Sequence, residues 1–252
     1  MILFNRIYGE GTPLVILHGL FGQCDNWTTL ARTWSNHFRV VTVDQRNHGQ
    51  SPHEKAFSYE LMAEDLAETL DALNLESVNL LGHSMGGKTA MFFAQQHPHR
   101  ISKLIVADIA PRFYAPHHGA IIEALKALPL ESLKDRNSAD GELAKGIPDF
   151  GTRQFLLKNL YRNDTGGFSW RFNLEAISTQ ISEVGKTLPS AAVHLPALFV
   201  RGSKSKYITD EDQTEIARQF SNATFATIPN AGHWLHAEQP EAFSKAVLDF
   251  LL

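Results

Sequence analysis

Three residue types that together can activate a hydroxyl stand at turn positions of this 252-residue chain: Ser84, Asp108 and His233. Ser84 lies in Gly82-His83-Ser84-Met85-Gly86-Gly87, directly after the apolar run Val78–Leu81. The stretch from Gly87 to His97 has helical content and is stopped by Pro98. A G-x-S-x-G at such a strand-to-helix turn holds its serine in a strained backbone, and the flanking positions must lack side chains. The helix that follows aims its N-terminus at the serine, so the Met85 N–H is placed to donate to a developing oxyanion. A hydroxyl is a weak nucleophile until a base takes its proton, and a histidine oriented by a carboxylate is such a base. His233 follows Gly232 just beyond the last apolar run, and Asp108 ends the run Leu104–Ala107. The chemistry these residues suit is acyl transfer through a serine.

The elements that must hold them can be read in order. Ile2–Tyr8 reads as an edge strand. Leu14–Leu17, Phe38–Val43, Val78–Leu81, Leu104–Ala107, Ala197–Val200 and Thr224–Ile228 are short apolar runs of the kind buried on both faces of a parallel sheet. Helical patterns alternate with them: Trp27–Trp34, a stretch capped by Ser58 with Leu61, Met62, Leu66, Leu70 and Leu73 on one side, Glu211–Phe220, and Pro240–Leu251. This alternation predicts an α/β fold with helices on both faces of the sheet. From Arg112 to about Pro189 the rhythm changes to helical pieces (Ile121–Leu128, Arg153–Tyr161, Leu174–Val184) rich in aromatic residues, with no segment that reads as a buried strand. The expected organisation is a core of residues 1–111 and 190–252 with a helical cap of residues 112–189 over the C-terminal edge of the sheet.

Open parallel sheets bind ligands at the carboxyl ends of their strands. The residues expected there are His18-Gly19-Leu20, Asp44, Ser84, Asp108, the segment Arg201–Tyr207, and His233. Taken with Asp44-x-Arg46-x-x-Gly49-x-Ser51, the serine turn and Gly232-His233, they make the chain resemble the α/β-hydrolase fold family over essentially its whole length. The resemblance implies a mostly parallel twisted sheet of about eight strands, a cap inserted after the sixth, the order Ser84…Asp108…His233 for the triad, and an oxyanion hole pairing the N–H groups of Leu20 and Met85. One departure stands out. Most members carry the acid after the next-to-last strand in Gly-x-x-Asp, and this chain has Gly202-Ser203-Lys204-Ser205 there. A hydroxyl cannot replace a carboxylate against an imidazolium. Asp108 is therefore the expected acid, with Asp210 and Asp212 as alternatives, and Ser205 is expected to hydrogen-bond into the Asp108–His233 pair. His18-Gly-Leu-Phe-Gly22, Asp108-Ile-Ala-Pro111 and Trp170-Arg-Phe-Asn173 look like the bacterial YbfF-type esterases. That likeness implies hydrolysis of short-chain acyl esters, extending to acyl-CoA thioesters, with no cofactor and no metal. Phe21, Trp234 and Trp170 are the expected substrate-binding side chains, and His117 and His118 are candidates for the cap lining.

Other readings compete. C–C bond hydrolases, perhydrolases and a lyase use similar serine turns, and a ligand receptor could keep the fold for binding alone. The intact Ser84 and His233 argue against the receptor, and a serine nucleophile argues against epoxide hydrolases and dehalogenases. The net charge of -4 argues against a nucleic-acid surface. The single cysteine, Cys24, excludes an intramolecular disulfide and has no visible base to make it a nucleophile. Asp44 and Arg46 read as loop ties. With no apolar run of membrane-spanning length and no basic, apolar N-terminal leader, the sequence predicts a cytoplasmic protein acting on a small molecule.

Overall fold

The computed structural model describes all residues, Met1–Leu252. The chain begins with β1 (Asn5–Tyr8), β2 (Pro13–Leu17), α1 (Thr28–Trp34), β3 (Arg39–Val43) and α2 (Tyr59–Ala72). It continues through β4 (Val78–His83), α3 (Met85–Gln96) and β5 (Ile101–Ala107). The segment that follows holds α4 (Gly119–Ala127), α5 (Arg136–Leu143), α6 (Phe150–Leu157), β6 (Leu160–Arg162), β7 (Phe168–Trp170), α7 (Leu174–Thr179) and α8 (Ile181–Gly185). The sheet resumes with β8 (Ala197–Gly202), α9 (Asp210–Gln219) and β9 (Ala223–Ile228), and the chain closes with α10 (Leu235–Glu238) and α11 (Pro240–Leu251). No helix is long and apolar enough to cross a membrane.

The main sheet has seven strands in the order β1-β3-β2-β4-β5-β8-β9, and only β1 runs antiparallel to its neighbour. Alternate residues feed two cores, as the pleat requires. Val15, Leu17, Leu80, Val106 and Phe199 pack under α2, α3 and α9, whereas Leu14, Ile16, Leu81, Ile105 and Val200 pack against α1 and α11. The register aligns the strand ends: Leu17 pairs with Gly82, His83 with Ala107, and Ala107 with Val200. The residues just beyond β2, β4, β5 and β8 therefore emerge side by side at one edge. β2 and β4 flank the point where strand order reverses, so that edge opens into a crevice.

The sheet corrects two expectations drawn from the family resemblance. It has seven strands, matching the edge strand and the six apolar runs of the sequence, and the insertion follows the fifth strand. Inside the insertion, a two-stranded antiparallel hairpin, β6–β7, stands where no strand was expected. Its turn Asn163–Gly167 contains Gly166 at φ 89, and Phe168 and Trp170 point inward around Ser169. The helix expected over Arg153–Tyr161 is α6, ending before β6 begins, and that expected over Leu174–Val184 is divided at Gln180. The inserted segment has its own apolar cluster, including Leu125, Leu143, Leu156, Trp170 and Phe172, to which the sheet edge contributes Phe21.

Candidate active site

Ser84 is the residue before α3 and has φ 53, ψ −118, a conformation that costs a side-chain-bearing residue of order 1–3 kcal/mol. The turn persists because strand and helix close on it. A Cβ at Gly82 would lie 2.1 Å from the Gly86 carbonyl oxygen, and one at Gly86 would lie 2.5 Å from the Leu17 and His18 carbonyl oxygens. The Ser84 N–H donates to the Ala107 carbonyl at 2.9 Å, pinning the turn to the end of β5.

His233 stands between β9 and α10. Its Nε2 is 3.0 Å from Ser84 Oγ, and its Nδ1 is 2.7 Å from Asp108 Oδ2. A carboxylate only accepts, so Nδ1 carries the proton and Nε2 turns a lone pair to the serine hydroxyl. The loop around His233 is tied by Glu238, which accepts from the N–H groups of Gly232 and Trp234, and by His83 Nε2, which lies 2.8 Å from the His233 carbonyl. Asp108 is wholly buried at φ 53. Its carboxylate accepts from His233, from Ser205 Oγ at 2.5 Å and from the Gly202 N–H at 3.2 Å. Asp210 and Asp212 take no part. Asp210 is exposed and pairs with Arg201, while Asp212 caps α9 and pairs with Arg112.

The loop after β2 turns so that the Gly22 N–H donates to the Gly19 carbonyl and the Phe21 N–H donates to His48 Nε2, leaving the Leu20 N–H without a protein acceptor. Two buried histidines hold this loop. His18 Nε2 accepts from the Gln45 N–H and its Nδ1 donates to the Gly19 carbonyl; His48 Nδ1 donates to the Arg46 carbonyl. Each ring uses one nitrogen as donor and one as acceptor, which only the neutral form can do. Burial keeps them neutral, lowering His18 to about 4 and His48 to about 3. Asp44 accepts from the Cys24 and Gln50 N–H groups, and Arg46 makes a two-pronged pair with buried Asp65, so both serve as loop ties. Burial, then the nearby Asp44 charge, pushes the Cys24 thiol up, away from thiolate chemistry.

Ser84 and His233 open into a cavity of about 230 Å³. Its walls are largely apolar, with Leu20, Phe21, Ile121, Phe155, Leu156 and Trp234 among them, and the Phe155 and Trp234 rings meet 5.4 Å apart. A smaller cavity of about 30 Å³ lies beyond Ser84 and is lined by Met85, Ile109, Tyr114 and Val184. His117 and His118 line both cavities. The expectation for Trp170 needs correcting. It is buried, stacked on Phe172 at 5.1 Å within the insertion's own cluster, and does not line either cavity. Two residues not singled out from the sequence lie close by, one in the site and one beneath the insertion. Tyr207 stacks on His233, and Lys88, one turn beyond Ser84, is fully buried beneath the insertion. The only sequence signal for Tyr207 is its position in the segment after β8.

The family model of the alpha/beta hydrolase fold matches residues 12–240. The chain belongs to the alpha/beta hydrolase fold family. Within this family it is 41% identical over 261 residues to the sn-1-specific diacylglycerol lipase ABHD11 of Mus musculus, covering 98% of this chain and 84% of the relative. It is 36% identical over 243 residues to Esterase YbfF of Escherichia coli (strain K12), covering 96% and 94%. Among solved structures, a marine microorganism esterase superposes with a TM-score of 0.97 at 47% identity, covering 99% of each chain. This alpha/beta hydrolase thus shares its fold along almost its whole length with proteins named as esterases and lipases.

Proposed function

We propose that this alpha/beta hydrolase is a serine carboxylic-ester hydrolase working through an acyl-enzyme on short-chain acyl esters, with acyl thioesters as a second substrate class. The observation that carries this reading is the unbroken link from Ser84 Oγ through His233 to buried Asp108 at the mouth of an apolar cavity. Ser84 Oγ attacks the ester carbonyl as its proton passes to His233 Nε2, and the carbonyl electrons move onto oxygen. The N–H groups of Leu20 and Met85 take up that oxyanion; removing one such donor commonly costs about 3–4 kcal/mol of barrier. Collapse expels the alcohol, which takes the proton from His233. Water, deprotonated by the same imidazole, then releases the acid.

Cavity size supports short chains. At about 230 Å³ the cavity lies below the usual range of about 300–1,000 Å³ for drug-sized ligands. We read residues 112–189 as a cap over a core of 1–111 and 190–252, since Ile121, Phe155 and Leu156 from the inserted segment wall the cavity. The names of the relatives support ester chemistry. The test is a rate series on p-nitrophenyl esters of increasing acyl length, wild type beside Ser84→Ala. Turnover that peaks at short chains and vanishes in the variant is expected. Activity that survives in Ser84→Ala, or no turnover at any length by the folded wild type, overturns the reading.

A further inference from the structure

We infer that Tyr207 is a positioning residue for His233, holding the imidazole by its face and stabilising the imidazolium formed when Ser84 gives up its proton. The inference rests on the serine mechanism proposed above. The two rings lie 3.9 Å apart between centroids and 18° from parallel. At that distance the negative face of an aromatic ring attracts a cation. Neutral imidazole gains less, so the attraction grows as the transition state is approached, and such a difference appears in kcat.

Tyr207 is itself held in place. Its phenol donates to His117 Nε2 at 2.8 Å, since His117 Nδ1 is turned to the Ala115 carbonyl. Its N–H donates to Ser205 Oγ at 3.2 Å, and its carbonyl accepts from Tyr114 OH at 2.5 Å. The Tyr114 ring packs against it at 5.3 Å. Burial, then the Asp108 charge, raises the Tyr207 phenol to about 12, so it stays neutral.

The other groups facing His233 leave room for this effect. Asp108 supplies the one carboxylate bonded to the ring, while the Glu238 carboxylate sits on the backbone side, held by the Gly232 and Trp234 N–H groups. His83, His118 and His236 lie close enough for their charge to be felt, and burial lowers all three, His118 to about 4 and His236 to about 3, so each is neutral when the enzyme works near neutral pH. Ser205 and Ser84 contribute hydroxyls only. The Tyr207 face, 3.9 Å from the imidazole against 4.8 Å for the His83 ring, thus adds its negative potential to that of Asp108. The segment that carries Gly202-Ser203-Lys204-Ser205 in place of an acid still serves His233, through the Ser205 hydroxyl on Asp108 and through the Tyr207 ring.

The test compares wild type, Tyr207→Phe and Tyr207→Leu on p-nitrophenyl acetate across pH, with the His233 ring resonances followed by NMR over the same range. Leucine keeps the apolar cover and removes the ring face. Tyr207→Leu is expected to lose about three- to thirtyfold in kcat with a smaller change in KM. The acid limb of its rate profile, and its ring titration, should move to lower pH by about half a unit or more, and Tyr207→Phe should restore both. Equal behaviour of Phe and Leu overturns the inference. Should the Leu variant not fold, pentafluorophenylalanine against phenylalanine at position 207 removes the negative face without changing the shape, and an unshifted titration is then the refuting result. The NMR titration needs no turnover. A shift in an enzyme inactive on every ester therefore refutes the serine mechanism while sparing the stacking, and turnover with no shift refutes only the stacking.

Discussion

Asp108 is where the chain departs from its family's usual pattern, and its surroundings show a carboxylate held against His233. A carboxylate with no exposure must have its lone pairs used, and here His233, Ser205 and the Gly202 N–H use them. In Asp108→Asn, an amide oxygen at Oδ2 leaves an NH₂ group facing the Gly202 N–H, and the flipped amide turns the NH₂ on both His233 and Ser205. In the second case the imidazole takes the wrong tautomer, and kcat should fall by about 10⁴. Ser205→Ala removes a hydroxyl donor from that buried carboxylate, a loss of about 1.5–3 kcal/mol or roughly ten- to a hundredfold. Asp210→Asn touches only an exposed pair with Arg201 and should change kcat by less than twofold. Steady-state kinetics of the three variants on one ester checks the ranking, and a large loss in Asp210→Asn would refute the assignment. At this scale the sequence was legible where chemistry demands a local motif. Ser84 sits between glycines that the strand–helix approach requires, and His233 follows Gly232 at a strand end. Tyr207 was not legible, because its stacking depends on the path taken by the loop between β8 and α9, which no local spacing encodes. Trp170 packs in the inserted segment's own cluster, and its sequence does not tell that role from a pocket wall, because a buried aromatic suits either.

Among the elements, the buried strands and core helices follow from their apolar patterns, and the edge strand with the six apolar runs read from the sequence are the seven strands of the sheet. The inserted segment was less legible for a physical reason. α5 has a mostly polar sequence and starts where Asp135 accepts from the Ser138 N–H, and β6–β7 has only three residues per strand, too few for a period to show. What joins this segment to the sheet is also invisible in sequence. The Tyr114 N–H donates to the Gly185 carbonyl and the Leu188 N–H to the Pro111 carbonyl, so the outgoing and returning stems run side by side. Lys88 on α3 reaches into that junction, donating from Nζ to the Arg112 carbonyl at 2.8 Å, to Gly185 at 3.3 Å and to Lys186. Lys88→Met keeps the length of the stem and removes every donor. The stranded carbonyls should weaken the stem pairing by about 1–3 kcal/mol. Hydrogen exchange at the Tyr114 and Leu188 amides should speed up accordingly, while the β4 amides stay protected. Unchanged exchange at the stems would mean that Lys88 only fills space.

Across the whole molecule, buried bases shift in one direction. Burial lowers His18 to about 4, His48 to about 3, His118 to about 4, His236 to about 3 and Lys88 to about 7. Each is therefore protonated less readily in the folded chain than in the unfolded one. Stability rises with pH wherever the unfolded state binds more protons. For the histidines that window runs from the unfolded value of 6.5 down to about 3–4, and stability drains away as pH falls through it. For Lys88, burial favours the neutral amine while the three carbonyls it bonds favour the ammonium, so it leaves only a small slope above pH 7. Above 10 the sign reverses, because burial raises Tyr59, Tyr114 and Tyr207, which ionise first in the unfolded chain. The maximum should thus lie between about pH 7 and 10. The acid side should be the steeper one, because several buried histidines resist protonation in the same window, and a shift of about two and a half units at one of them is of order 3 kcal/mol, a sizeable share of the stability of an ordinary domain, about 5–15 kcal/mol. Urea unfolding followed by circular dichroism at pH 5, 7 and 9 tests this directly. The midpoint should drop sharply from pH 7 to 5 and rise or hold from 7 to 9. His48→Asn, which removes one of these titrations, should lessen the drop between pH 7 and 5 even where its stability at pH 7 is lower. A midpoint that rises toward pH 5 would mean that these histidines are charged in the folded chain, and with it the neutral pins assigned to the Leu20 loop would fall.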